Sequence, residues 1–318
     1  MKAIVERGGA LRWADVPDPT PGPHDALVRV RAAGVNRADL AQRAGRYPPP
    51  PGASEILGLE AAGEVVEAPE ASGWRPGDRV CALLPGGGYA ELAAVHARML
   101  MPVPGRLDEV GAASLPEVHL TAFLNLMLEA GLRPGERALV HGGASGVGTA
   151  AIQQIREIGA QVATTSSAEK VDRCAALGAD PALDRRDPSW PERLRDAWGS
   201  VDVVLDMVGA DTAAAAFDLL GTGGRLVWIA TLSGAKIEVD IRVAMRKRLT
   251  LKGSTLRARP LNEKITLRDA FVARLWPAIE AGRIVPVVHE AVPVAEVEHA
   301  HELLRADATV GKVVLRVP

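Results

Sequence analysis

The rhythm of apolar and polar residues changes twice along the chain. In the first third it comes in short runs closed by glycine or proline. Lys2 to Arg7, Ala26 to Ala32 (alternating as ALVRVRA), Leu57 to Glu67, Asp78 to Leu84 and Tyr89 to Val95 predict strands, with one short helix over 38–43. Strands this short, with turns at this spacing, predict a small barrel-like domain. A longer helical pattern, Leu115 to Ala130, leads into the middle third. From Arg137 strands and helices alternate, with strands expected at 138–141, 161–165, 201–208, 225–230 and 250–254. That alternation predicts an α/β fold with a doubly wound parallel sheet. The run VDVVLDMV at 201–208 is apolar enough for a central strand. After about Pro260 the pattern changes again: a helix over 267–281, a strand over 285–294, a helix over 296–305 and a last strand over 311–317.

The middle third opens on Arg137 to Ala151, RALVHGGASGVGTAA. A buried strand is followed by a glycine-rich turn and a helix that starts near Val147. Such a turn lets the backbone approach an anion, and the helix N-terminus adds N–H groups and a positive dipole end. The dinucleotide fingerprint G-x-G-x-x-G is matched imperfectly: Gly143 and Gly148 take the outer places, Ser145 stands in the middle and Gly146 follows it. A plain strand-to-helix turn has the same composition. The next strand ends in Thr164-Thr165-Ser166-Ser167, with Lys170 beyond, where an NAD site usually carries a carboxylate for the ribose 2′-hydroxyl. Hydroxyls and a cation there favour the 2′-phosphate of NADPH, although a lysine on a helix is more often simply solvated. Val208-Gly209, at the end of the apolar central run, marks the expected cofactor crevice.

Composition narrows the function classes. At 318 residues the chain suits two domains. A net charge of -2 leaves no electrostatic footprint for nucleic acid or an anionic membrane. Two cysteines, Cys81 and Cys174, build no disulfide framework, so a cytoplasmic, reducing setting is expected. The N-terminus MKAIVERGG turns polar too soon for a signal peptide, and no apolar run reaches the roughly 20 residues of a membrane span.

Further motifs carry a family likeness. GVNRADL (34–40), GRYP (45–48), PGAS (51–54) and LGLE (57–60) resemble the medium-chain dehydrogenase/reductase superfamily, and within it the zinc-free quinone oxidoreductases. LLPGGGYAEL (83–92), LPE (115–117), LTAF (120–123), HGGASGVGTAAIQ (141–153) and GSTLRAR (253–259) resemble the p53-inducible NADPH-dependent type among them. The resemblance covers nearly the whole chain. It implies a GroES-like, β-rich catalytic domain built from residues 1–119 and 261–318 around a central Rossmann domain, 120–260. It implies a cleft between them for NADPH and an electrophilic small molecule, a quinone or an enone, and a homo-oligomer, commonly a dimer through the Rossmann domain. The cofactor contacts it implies fall on Gly143, Ser145, Gly146, Val147, Gly148, Ser167, Lys170 and Val208. Where the family often has a tyrosine after the third Rossmann strand, this chain has Arg185, a good phosphate ligand or a solvated loop charge.

The resemblance also bears on metal. The cysteine and histidine positions that hold catalytic zinc in the alcohol dehydrogenase branch are Asn36 and Leu59 here, and four clustered cysteines for a structural zinc are lacking. Reduction then depends on hydrogen-bond donors for a developing oxyanion. By motif position the candidates are Asn36 and Tyr47, against a turn residue and an exposed loop aromatic as the plainer alternatives. Asp39 and Glu60 are expected to be fixed hydrogen-bonding groups. The roles of Arg257, Arg259 and Lys312 stay open.

Overall fold

Glycine-closed alternation builds the first strands. In a computed structural model describing residues 1–318, β1 (Lys2–Arg7) turns at Gly8 and Gly9, both at positive φ, into β2 (Ala10–Asp15). The chain continues through β3 (Asp25–Val35), α1 (Arg37–Arg43), β4 (Glu60–Glu67), β5 (Arg79–Leu83), β6 (Leu92–His96) and β7 (Leu100–Pro102) to the helices α2 (Glu109–Ala113) and α3 (Pro116–Phe123). The strand expected over 57–67 begins only at Glu60, because Gly58 sits at φ +103° against Tyr89, where any Cβ would clash at 2.6 Å.

The long helix expected over 115–130 is broken in two. Beyond α3, Leu124–Glu129 is wound as a π-helix. Asn125 Nδ2 bonds the Thr121 carbonyl at 2.7 Å, and the Ala130 N–H reaches back five residues to the Asn125 carbonyl. A side chain competing for a helical carbonyl favours this widening.

The alternating section follows: β8 (Arg137–His141), α4 (Gly146–Glu157), β9 (Gln161–Ser166), α5 (Val171–Leu177), β10 (Ala182–Asp184), α6 (Trp190–Trp198), β11 (Val201–Asp206), α7 (Ala210–Leu219), β12 (Leu220–Trp228), α8 (Ile241–Lys247) and β13 (Thr250–Gly253). Its six strands are all parallel, in the order β10-β9-β8-β11-β12-β13. Leu139, Ala163, Leu183, Val204 and Leu226, one from each of five strands, are buried in one cluster with Trp190 and Phe217. The run expected as strand to Val208 stops at Asp206, whose carboxylate accepts the N–H groups of Val208 (2.7 Å) and Gly209 (3.1 Å) and so turns the chain out of the sheet.

The last segments are α9 (Leu261–Glu280), β14 (Val288–Pro293), α10 (Val297–Arg305) and β15 (Lys312–Arg316). β15 lies antiparallel against β3, with Val313 opposite Val35, in a seven-stranded sheet ordered β14-β15-β3-β4-β5-β7, with β6 also on β3. Met1–Leu120 with Arg257–Pro318 thus forms one unit, and Thr121–Leu256 forms the other.

Candidate active site

In the first unit the pairing of β15 with β3 brings the C-terminal Lys312 to the start of α1. Lys312 is 4% exposed, and its Nζ donates to the Val35 carbonyl (2.7 Å), Asn36 Oδ1 (2.6 Å) and Glu60 Oε1 (2.6 Å). Glu60, fully buried, also accepts from Asn36 Nδ2 (3.0 Å) and from the Glu117 N–H (2.8 Å). Gly34 makes room for this carboxylate, since a Cβ there would stand 2.2 Å from Glu60 Oε1. A buried carboxylate needs a cation and several donors, and Glu60 has both.

Asn36 is therefore spent on structure at both ends of its amide: Nδ2 faces Glu60 and, at 3.3 Å, the Gly34 carbonyl, while Oδ1 accepts from the lysine. Asp39 stands one turn further along α1, fully buried. It accepts from the Asn36 N–H (2.8 Å), the Gly58 N–H (3.0 Å) and the Tyr89 hydroxyl (3.0 Å). Burial pushes its carboxyl up to about 6 against those donors and the Lys312 charge.

Tyr47 is half-buried at the head of the proline run. The Arg257 guanidinium lies 5.3 Å from its ring centroid and donates to the Tyr47 carbonyl (3.1 Å), Gln42 Oε1 (2.7 Å) and the Pro85 carbonyl (2.7 and 2.9 Å). Arg257, 5% exposed, thus ties three segments of chain to one another and stacks on the aromatic. Burial and the Glu117 charge raise the Tyr47 hydroxyl, and Arg257 pulls the other way. Unlike Tyr89, whose hydroxyl is given to Asp39, Tyr47 keeps its hydroxyl uncommitted.

Glu117 escaped the sequence reading. An acid directly after a proline at a helix start is explained by the helix dipole alone, and its neighbours lie far off in sequence.

In the second unit, Gly142 takes the left-handed turn (φ +73°) after β8. A Cβ on Gly143 would stand 1.9 Å from Thr164 Oγ1, and one on Gly148 would stand 2.3 Å from the Gly142 carbonyl. Both positions need glycine to seat the helix on the strands. Ser145 caps α4 by accepting from the Gly148 N–H at 3.0 Å, so its middle place in the fingerprint serves the helix start. Gly146 and Val147 form the first helical positions. His141, at the end of β8, bonds Thr165 Oγ1 at 2.8 Å and packs edge-on against Trp190.

At the end of β9 three expected residues come together through the backbone. The Lys170 N–H bonds the Ser167 carbonyl (2.9 Å), and the Arg185 N–H bonds the Ser166 carbonyl (2.7 Å). Lys170 is 6% exposed, unlike a solvated helix lysine, whereas Arg185 is exposed. Ser167 Oγ is buried without a partner at hydrogen-bond distance, although it is near enough to help hold the exposed Glu169 carboxyl low. Such a hydroxyl suits an incoming phosphate oxygen. Glu169 is a carboxylate in the neighbourhood that the sequence reading passed over. Val208 lies across the sheet beyond β11, its carbonyl accepting from Ser233 N and Oγ.

Residues 22–105 match the alcohol dehydrogenase GroES-like domain, and residues 146–271 match the family described as zinc-binding dehydrogenase. A quinone oxidoreductase from Lama guanicoe is 32% identical over 308 residues, covering 95% of this chain and 92% of that protein. The chain belongs to the medium-chain dehydrogenase/reductase superfamily. Among solved structures, the quinone oxidoreductase of Thermus thermophilus, studied also as its NADPH complex, aligns over 100% of both chains with 35% identity and a TM-score of 0.84. A structure described as an NAD-dependent alcohol dehydrogenase aligns as fully, with 30% identity and a TM-score of 0.87. The chain is thus an oxidoreductase of this superfamily with a nicotinamide cofactor.

The zinc in the family description finds no matching donors. No group of three His, Cys, Asp or Glu side chains converges anywhere in the protein, and Cys81 and Cys174 are buried in different units. At the position beside Glu60 the cation is the Lys312 ammonium, with Asn36 next to it. These groups do not fit zinc, and no step is derived through one.

Proposed function

We propose that the protein reduces quinones with NADPH and without a metal. The observation that carries this reading is the uncommitted Tyr47 hydroxyl, held by Arg257 close to a metal-free cluster of buried charges. When bound, NADPH supplies the hydride. The residues proposed to hold it are Gly143, Ser145, Gly146, Val147 and Gly148 at the pyrophosphate, Val208 beyond the central strand, and Ser167, Lys170 and Arg185 at the 2′-phosphate. The orphaned Ser167 hydroxyl supports that fit. Tyr47 donates a hydrogen bond to the acceptor oxygen as negative charge develops there, and Arg257 keeps the ring from swinging away. Asn36, the second donor expected from the sequence, contributes by fixing Lys312 and Glu60; donating to the acceptor as well would cost it the bond to the Gly34 carbonyl.

A second reading, reduction of an enone double bond, is favoured by the acidic groups around Tyr47, because an enone needs a proton on carbon as well as a hydride on carbon. Loss of NADPH absorbance with a panel of quinones and enones, each run with and without a chelator, tests both. The expected result is turnover of quinones, slower turnover of enones, and no effect of the chelator. Failure with every acceptor, or loss of activity on chelation, defeats the proposal.

A further inference from the structure

Glu117 opens α3 one residue after Pro116, partly exposed to solvent. Its backbone N–H is fixed to Glu60 Oε2 at 2.8 Å, which anchors this helix start to the Lys312 cluster. Around its carboxyl stand Glu60 and Asp39 as like charges and Lys312 and Arg257 as opposing ones. Tyr47 and Lys264 feel its charge as well, and the Lys264 ammonium is fastened to the Arg257 carbonyl at 2.6 Å. A carboxyl so placed has solvent on one side and a network of buried charges on the other.

We propose that Glu117 is the acid that delivers the proton completing reduction of an acceptor held at Tyr47. This rests on the reduction reading above. Burial and the two carboxylates outweigh the two cations and push Glu117 up to about 8, so it carries its proton at neutral pH. The Tyr47 hydroxyl, raised by burial and by Glu117 itself, is suited to donating a hydrogen bond and not to giving up its proton. The balance is simple. A hydride brings two electrons to the acceptor and leaves the cofactor as NADP⁺. The acceptor's π pair moves onto oxygen, as an enolate from an enone or a hydroquinone monoanion from a quinone. The Glu117 O–H bond breaks, and its proton joins the enolate α-carbon or the hydroquinone oxygen. The carboxylate recovers a proton from solvent through its exposed side. One proton is consumed per acceptor reduced.

The test compares wild type, Glu117→Gln and Glu117→Asp. The wild-type kcat should hold at neutral pH and fall about tenfold per unit above roughly pH 8, because the acid is lost as pH rises through its pKa. Glu117→Gln should lower kcat on the order of 10²–10⁴-fold with an enone, erase that alkaline limb and leave NADPH affinity within about twofold. Glu117→Asp should keep the limb at a kcat at least about tenfold lower, since the shorter side chain misplaces the proton. Independently of turnover, an infrared carboxylic acid band should be present at pH 7, vanish above about pH 8 and be missing in Glu117→Gln.

A wild-type kcat in Glu117→Gln, a limb that survives there, or a carboxyl already ionised at pH 6 overturns the proposal while leaving the reduction reading in place. A wild-type protein that turns over no acceptor defeats both. If Glu117→Gln no longer binds NADPH and is thus misfolded, Glu117→Asp decides, and an unchanged kcat there overturns the proposal.

Discussion

Lys312 and Glu117 frame the site, and neither was legible as such. Asn36, Tyr47, Asp39 and Glu60 sit in motifs that mark the family, so sequence alone singled them out. Lys312 was only one of several open cations, because its partner Asn36 lies 276 residues away and the two meet only through the register of β15 on β3. The expectation that Asp39 and Glu60 are fixed hydrogen-bonding groups agrees with their bonds to Gly58, Tyr89, Asn36 and Lys312. A prediction follows from burial. Lys312→Ala strands the Glu60 carboxylate at 0% exposure without its cation. Breaking a buried pair from one side costs about 3–5 kcal/mol, whereas replacing both partners by neutral groups of similar size is far better tolerated. Urea unfolding should therefore show Lys312→Ala strongly destabilised and Lys312→Met with Glu60→Gln closer to wild type. Equal loss in the single and double variants would mean that the ion pair is not what these residues contribute.

Among the elements, the glycine turn and the end of β9 hold the proposed cofactor contacts. Strand, turn and helix were readable from composition and period. The division of labour among the glycines was not: the left-handed turn falls on Gly142, while Gly143 and Gly148 are required by close approach to Thr164 and to the turn's own carbonyl. Such contacts depend on where the next strand lies, which a local pattern does not contain. β10, of three residues, also went unread, yet its end delivers Arg185 to Ser166. For cofactor choice the local contest is between Lys170 and Arg185 on one side and Glu169 on the other. Two cations and an unpartnered hydroxyl against one exposed carboxylate favour NADPH over NADH. Titration by cofactor fluorescence should show tighter NADPH binding, weakened by added salt. Lys170→Ala with Arg185→Ala should remove most of the NADPH preference and leave NADH nearly untouched. Equal affinity for both cofactors in the wild type would refute this account of the strand end. Parallel loss of both cofactors in the double variant would move these residues to folding or to the pyrophosphate.

For the whole molecule, the parallel sheet was read from the alternation of apolar runs, and its six strands bear that out. The return of the C-terminal segment to the N-terminal sheet was implied only by family likeness, since no local pattern encodes which distant edge β15 will choose. No helix is long and apolar enough to cross a membrane. What the second unit leaves exposed bears on assembly. β13 is the last strand of its sheet, paired on one side only, and Leu251 on it is 38% exposed. Nearby in sequence, α8 carries Ile241 and Met245 one turn apart at 68% and 71% exposure, and Leu232 is 57% exposed. A bare strand edge with several large apolar side chains around it is a surface that proteins rarely leave open to water. A second copy of the same edge, related by a two-fold axis, covers it with identical chemistry from both sides. The protein, 33.5 kDa per chain, is therefore expected to sediment with the mass of two chains. Ile241→Asp with Met245→Asp should shift it to one, because each buried carboxylate would meet its symmetry mate across an apolar contact. NADPH binding should survive, since neither residue is among the proposed cofactor contacts. A wild-type protein that sediments as a single chain at micromolar concentration, or a doubly substituted one that remains paired, would show that this edge is not where the copies meet.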